Sequence, residues 1–241
     1  MCIRDSHGSI KEYAKVKESF FKENSFDSAL INIDSTIGKR ILRDNRNFIS
    51  LSSNQSNSDI FLDYKIEGST IHTPWQKAFI PKNIFAKHIM MNLAASMGLY
   101  YLSKEKGKLV DIDFKNLSGL PGRLEEIKVP FNQSCYIDYA HTPSALKESL
   151  SSLKNKHKGN LICIFGCGGD RDKGKRALMG EIASLIANQI IITSDNPRSE
   201  DPKKISLDIL KGIKSSENID IILNRTKAIK NGLNLLRKST V

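Results

Sequence analysis

The 241-residue chain reads as an α/β protein, and three features of its second half say so. Apolar runs of buried-strand type, such as Leu161 to Phe165, alternate with stretches that repeat apolar residues at helical spacing. The turns between them carry helix-opening pairs, Thr142-Pro143 and Asp201-Pro202. One turn, from Gly166, is rich in glycine and leads from a strand straight into a helix. Strands that alternate with helices specify a parallel sheet covered on both faces, a Rossmann-like arrangement whose sites lie at the C-terminal ends of the strands.

In order from Ser134, Cys135 to Asp138 is a short strand, and Leu146, Leu150 and Leu153 mark the helix that follows it. Leu161 to Phe165 is the next strand, followed by a helix with Leu178, Ile182, Leu185 and Ile186 on one face. Gln189 to Thr193 is a strand, and Ile205, Ile209 and Ile213 belong to the helix opened by Asp201-Pro202. Ile219 to Leu223 is the last strand, with Ala228, Ile229, Leu233 and Leu236 in a closing helix. The first half is less regular. It predicts an amphipathic helix over Ile10 to Glu23, strands at Ala29 to Ile33, Phe48 to Leu51 and Ile60 to Ile66, and a long helix from about Asn83 to Leu102. A helix through Ile41 and Leu42 follows the first of these strands. The Pro130, Asn132 and Gln133 cluster predicts a boundary between domains 1–130 and 131–241.

Hydrophobic residues make up 39% of the chain, enough for a core, so global disorder is excluded. There is no apolar run of membrane-spanning length, and Met1 to Ser6 lacks the apolar stretch of a signal peptide. The expectation is a soluble, cytoplasmic monomer without membrane partners. The four cysteines do not pair with other Cys or His at zinc spacing, so they read as free thiols. The net charge of +11 invites nucleic acid, but the lysines are spread along the chain, without a concentrated basic helix or an aromatic RNA-binding motif. Anionic small substrates suit the same charge, and no nucleic acid is expected.

Three segments carry chemistry. Gly166-Cys167-Gly168-Gly169-Asp170-Arg171-Asp172-Lys173-Gly174-Lys175-Arg176 joins a strand to a helix, where backbone N–H groups and basic side chains can meet an anion. Gly169 to Lys175 has the spacing of a phosphate-binding P-loop, but Arg176 stands where that motif needs Ser or Thr. The loop is therefore an anion site rather than a nucleotide P-loop. Asp138-Tyr139-Ala140-His141-Thr142-Pro143 places a carboxylate where ribose hydroxyls can be met, with His141 either facing phosphate or capping the turn. Asp195-Asn196-Pro197-Arg198 gathers an anion, an amide and a guanidinium, a set suited to a zwitterionic amino acid. For each residue alone, an ordinary solvated turn is the competing reading.

In this order and spacing, DYAHTP, FGCGGDRDKGKR and SDNPRSEDP resemble the Mur ligase family, in particular its members that add meso-diaminopimelate. The resemblance runs over nearly the whole chain from His7. Leu120-Pro121-Gly122-Arg123-Leu124-Glu125 is similar to the family's G-R-M-E segment, whose arginine contacts the nucleotide. Ala86 to Asn92 is similar to the adenine-holding G-x-F/H-N-x-x-N, with Ala86 and Ile89 departing from it and only Asn92 carried over. His7-Gly8, Tyr13 and Lys17 resemble H-G-x-x-x-x-Y-x-x-A-K, whose lysine is carbamylated; a carbamate turns an ammonium into a carboxylate that can ligate magnesium. By periodicity alone Lys17 is one of several lysines on an exposed helix face.

The resemblance implies an ATP- and Mg2+-dependent amide ligase whose substrates are UDP-MurNAc-L-Ala-D-Glu and meso-diaminopimelate. It implies that Asn92, Arg123, Asp138 and His141 hold ATP, and that Arg171, Asp195, Asn196 and Arg198 hold diaminopimelate. Lys17 would hold the metal. It also implies that residues 1–130 are part of a central ATP-binding domain without its P-loop, and that 131–241 is a C-terminal domain lacking its G-K-G-H-E segment. The fragment would then be inactive alone. A lysine-adding relative is one alternative; a non-catalytic nucleotide- or nucleic-acid-binding protein using the basic loop is another.

Overall fold

The computed structural model describes residues 9–45, 47–103, 113–114, 116–117, 119–129, 133–214 and 218–238. These residues form two compact units that divide between Gly119 and Leu120. The division falls before the expected 130/131 boundary, and strand pairing is the reason. Strand β6 (Glu125–Ile127) runs antiparallel to β7 (Cys135–Ile137), from Glu125 opposite Ile137 to Ile127 opposite Cys135, so it belongs with the chain that follows it. Pro130 and Asn132 of the expected linker lie outside the described residues, as do Met1 to Gly8 at the start.

In the first unit, helix α1 (Ile10–Glu23) opens on Ser9, whose hydroxyl accepts a hydrogen bond from the Glu12 N–H. Then come β1 (Leu30–Asn32), α2 (Thr36–Asp44), β2 (Ile49–Ser52), β3 (Ile60–Asp63), β4 (Ser69–His72), β5 (Lys77–Ile80) and α3 (Lys87–Leu102). The strands lie in the order β1-β2-β3-β4-β5, parallel through β3 and antiparallel after it. No apolar run announces β4 and β5, because only alternate residues are buried. Ile71, Ala78 and Ile80 point into the core, while Phe79 stays exposed. Ile60, Leu62, Ile71 and Ile80 pack in one core with Met90, Ala94 and Met97 of α3. A smaller core of Ile31, Ile33, Ile41 and Phe48, flanked by Phe21 and Phe26, anchors α1 and α2.

The second unit continues with α4 (Pro143–Lys156), β8 (Ile162–Phe165), α5 (Gly174–Ile186), β9 (Gln189–Ile192), α6 (Pro202–Leu210), β10 (Ile219–Ile221) and α7 (Arg225–Lys238). β10-β9-β8 form the parallel sheet, with Ile162 opposite Gln189 and Ile219 opposite Ile190. Cys163, Phe165, Ile190 and Ile192 pack with Leu146 and Leu150 of α4, Met179 and Ala183 of α5, and Ile205 and Ile209 of α6. The alternate residues Ile164 and Ile191 meet Gly232 of α7 on the other face. Helices therefore cover both faces, as expected.

Two expectations are corrected. The strand at Cys135 does not join the parallel sheet among the described residues; it forms a two-stranded antiparallel ribbon with β6. A cavity of about 420 Å³, lined by Ile137, Ile162, Ile164, Leu233 and Leu236 among others, lies between β7 and β8. On α5 the helical period is right but its phase is not. Leu178 and Leu185 are 45% and 76% exposed, whereas Arg176, Met179, Gly180 and Ala183 are buried. Close approach of α6 sets that phase: a Cβ on Gly180 would stand 2.1 Å from the Ile209 carbonyl oxygen. No helix among the described residues is long and apolar enough to cross a membrane.

Candidate functional site

Three loops follow β7, β8 and β9; those after β8 and β9 leave the C-terminal ends of parallel-sheet strands, where ligands bind in sheets of this kind. In the first, Asp138 is a hub. Its Oδ1 accepts from the Ala140 N–H at 2.9 Å and the Ser149 hydroxyl at 2.8 Å, and its Oδ2 from the Leu124 N–H at 2.9 Å. A carboxylate offers roughly four lone-pair sites, so about one remains for a ligand such as a ribose hydroxyl. The expected ligand contact is thus secondary to a structural task. The Leu124 bond holds that residue at φ 47° and brings its neighbour Arg123 over the Tyr139 ring, 5.1 Å from the centroid. His141 meets the same ring edge-on at 5.2 Å, with its Nδ1 3.1 Å from the Tyr139 carbonyl oxygen. Tyr139 is 65% exposed. Sequence reasoning passed over this tyrosine, although its place between Asp138 and His141 at a strand end was a usable signal. An exposed ring flanked by a guanidinium and an imidazole suits a planar base or an anion beside one.

The second loop, 166–173, leans on the third, 194–200. A Cβ on Gly169 would stand 1.9 Å from the Pro197 carbonyl oxygen, so only glycine permits this contact. The Gly169 N–H donates to the Asn196 carbonyl at 2.9 Å, and Arg198 Nη1 donates to the Gly169 carbonyl at 2.7 Å. Asp170 and Arg198 both adopt φ 51°, a left-handed conformation that costs a non-glycine residue energy and is held by these cross-links. The Asp170 carboxylate accepts from the Ser199 hydroxyl at 2.7 Å and N–H at 3.1 Å, bonds that lower its pKa.

Arg176 is fully buried and donates to Glu200 at 2.9 and 2.8 Å and to Asp208 at 3.0 Å. The Glu200 pKa is lowered to about 2, first by Arg176 and then by the Asp170 N–H, which donates to it at 2.7 Å. These bonds occupy part of the expected anion site. The backbone donors of Gly169, Asp170 and Gly174 are committed to Asn196, Glu200 and the Asp172 side chain. Lys175 is 7% exposed and donates to the His141 carbonyl at 3.0 Å. Of the four basic side chains in the loop, Lys175 and Arg176 serve the interior, while Arg171 and Lys173 remain exposed. The exposed Arg171 and Lys173 side chains remain available to an anion at this loop.

Arg171 is exposed, with no hydrogen bond or ion pair to the described residues, and the Asn196 side chain is likewise uncommitted. Asp195 lies 4.0 Å from Arg225. The structure thus brings the segment of Arg171 beside that of Asp195, Asn196 and Arg198, and ties His141 to the start of α5. The other two predicted residues belong to the first unit. Asn92 is exposed on α3, and Lys17 is exposed on α1 with its ammonium 5.5 Å from the Tyr13 ring centroid. Among the described residues no three His, Cys, Asp or Glu side chains converge on a possible metal position.

Two family models match the chain: a Mur ligase middle domain over residues 4–100, and a Mur ligase glutamate ligase domain over residues 122–241. A UDP-N-acetylmuramoyl-L-alanyl-D-glutamate–2,6-diaminopimelate ligase of Coxiella burnetii is 33% identical over 94% of this chain and 49% of its own length. One of the same name from Trichormus variabilis is 35% identical over 95% of this chain and 48% of its own. A solved structure of a ligase so named matches with a TM-score of 0.52 at 34% identity, covering 93% of this chain and 48% of the other. MurF from Acinetobacter baumannii, 15% identical, shares the fold with a TM-score of 0.68, over 98% of this chain and 51% of that one. The chain spans about half the length of the curated relatives it matches. With two of the family's domains recognised in order along it, and with relatives at this identity over nearly all its residues, the chain belongs to the Mur ligase family.

Proposed function

We propose that this chain is the amino-acid-binding part of an ATP-dependent amide ligase that joins meso-diaminopimelate to UDP-MurNAc-L-Ala-D-Glu. The observation that carries this reading is the Arg198–Gly169 bond, which sets the loop of Arg171 beside that of Asp195, Asn196 and Arg198. Together they offer two guanidinium groups, an amide and a carboxylate, the complement of a zwitterion with one carboxylate to spare. The relatives named for 2,6-diaminopimelate support this choice of amino acid. Arg123, Tyr139 and His141 form the nucleotide side, with Asp138 holding that loop in shape. Asn92 is assigned to adenine.

In the reaction, the D-glutamate side-chain carboxylate takes the γ-phosphoryl group of ATP and ADP leaves. The free amine of diaminopimelate attacks the acyl phosphate, phosphate departs, the amine loses a proton and the amide forms. The chain's own contribution is to orient the amine, by gripping the carboxylates of the amino acid away from the reacting nitrogen. Lys17, as a carbamate, is assigned to magnesium, which when bound would neutralise charge on the transferred phosphoryl group.

The test is made in the full-length protein, as ADP release that depends on both UDP-MurNAc-L-Ala-D-Glu and an amino acid. Diaminopimelate should be strongly preferred over lysine, which lacks the distal carboxylate. Arg198→Ala should lower the catalytic efficiency for diaminopimelate about thirtyfold or more and that for lysine much less, because the distal carboxylate, desolvated on entering the site, would lose the guanidinium that pairs with it. Arg198→Lys should fall between, keeping the charge without the fork. An unchanged ratio of the two efficiencies in Arg198→Ala would remove Arg198 from the specificity site. A preference for lysine in the unaltered enzyme would overturn the substrate assignment.

A further inference from the structure

Lys175 and Arg176 are neighbours in the first turn of α5, and both are buried, at 7% and 0% exposure. They reach different loops. Arg176 is neutralised by Glu200 and Asp208 and so ties α5 to the loop after β9 and to α6. Lys175 meets no carboxylate within ion-pair distance among the described residues; its ammonium donates to the His141 carbonyl at 3.0 Å, 34 residues earlier in the chain. Burying an ammonium against a single neutral acceptor is costly, and a solvated lysine would avoid that cost. The acceptor is also particular. The His141 carbonyl lies between the Tyr139–His141–Arg123 cluster and Thr142, whose hydroxyl caps α4 by accepting from the Ala145 N–H.

From this we propose that Lys175 is a positioning residue, whose buried ammonium fixes the loop bearing Asp138, Tyr139 and His141 to the start of the helix that follows Arg171. The inference rests on the proposed reading of these two loops as the nucleotide side and the amino-acid side. The first turn of α5 is then the joint of the site. One cation fastens the loop after β7 to it, and the next fastens the loop after β9. Loss of the Lys175 bond frees the nucleotide-side loop without disturbing the Arg176–Glu200–Asp208 network.

Amide and ammonium hydrogen exchange on the isotopically labelled 241-residue chain tests this, in the unaltered protein and in Lys175→Met and Lys175→Arg. In the unaltered chain the Lys175 ammonium protons should exchange at least about tenfold more slowly than those of exposed Lys173. In Lys175→Met the Ala140 and Ala145 amides should exchange about tenfold faster, with Ile164 and Ile191 of the sheet unchanged, and Lys175→Arg should restore most of the protection. Equal exchange for Lys175 and Lys173 would overturn the proposal even if Lys175→Met failed to fold. So would unchanged exchange at Ala140 and Ala145, or a loss of protection that reached Ile164 and Ile191 equally. ADP titrated into the full-length protein and its Tyr139→Ala variant reads the nucleotide assignment separately. Unchanged ADP affinity in Tyr139→Ala would remove that assignment, while the exchange rates would still decide whether Lys175 holds the loop.

Discussion

Arg176 shows how much one side chain can decide. It has no exposed surface, and it holds Glu200 and Asp208 ionised at the edge of the site. The Glu200 pKa of about 2 lies below the ordinary glutamate value of 4.5, so the folded state binds its proton less readily than the unfolded chain does. The stabilisation is fully present above the unfolded value and is lost as the pH falls from there toward 2. Asp170 and Asp208 are depressed in the same direction. Urea unfolding of the second unit should therefore show a midpoint that drops steeply on acidification through this window. Glu200→Gln should be less stable than the unaltered protein at pH 7, should lose part of the acid dependence, and should converge with it near the lower end of the window. Parallel curves at every pH would mean that Glu200 carries none of the coupling.

The packing of α5 on α6 makes a sharper test at the scale of elements. An alanine in place of a helical glycine gains about 1 kcal/mol of helix propensity. At Gly180 the new methyl group would meet the Ile209 carbonyl oxygen at 2.1 Å, and that backbone cannot turn aside as a side chain can. Overpacking typically costs about 1–3 kcal/mol, and a backbone clash this close belongs at or beyond the upper end, so the clash outweighs the propensity. Thermal unfolding of Gly180→Ala should fall by several degrees, with the loop of Asp195 to Glu200 loosened because α6 begins just after it. Gly159, where an added Cβ meets nothing within 4 Å, is the control. Its alanine variant should stay within about 0.5 kcal/mol of the unaltered protein. A neutral Gly180→Ala would show that α6 can shift without cost. The phase of α5 would then need another explanation.

For the whole molecule, the position of the boundary has consequences. Residues 120–241 contain β6, its ladder to β7 and the Leu124–Asp138 bond; a piece starting at residue 131 lacks all three. Expressed separately, 120–241 should unfold cooperatively on heating. The 131–241 piece should melt at least several degrees lower and less cooperatively, because Asp138 loses a backbone donor and Cys135–Ile137 stands as an unpaired strand. Identical melting of the two pieces would place the boundary after all at the Pro130 cluster.

The local order of this chain is written in its sequence. Helical spacing, the Ser9, Thr142 and Asp201 caps and the apolar runs of β8 and β9 mark most helices and strands, though not β4 and β5, since these signals depend on residues a few positions apart. The three strand-end loops are legible for the same reason, and with them Asp138, His141, Arg171, Asp195, Asn196 and Arg198, whereas Tyr139 was passed over and Lys17, Asn92 and Arg123 rest on the resemblance. Partners distant in sequence are not legible in this way. Nothing near Asp138 says that Leu124 and Ser149 occupy its oxygens, or that β7 pairs with β6 rather than with the sheet. Nothing near Lys175 or Arg176 distinguishes them from Arg171 and Lys173, yet two of these four cations are buried and two are exposed. That division is made by burial, which charge and spacing along a chain do not encode. Only the tertiary structure decides which basic groups hold the loops together and which remain to meet a ligand.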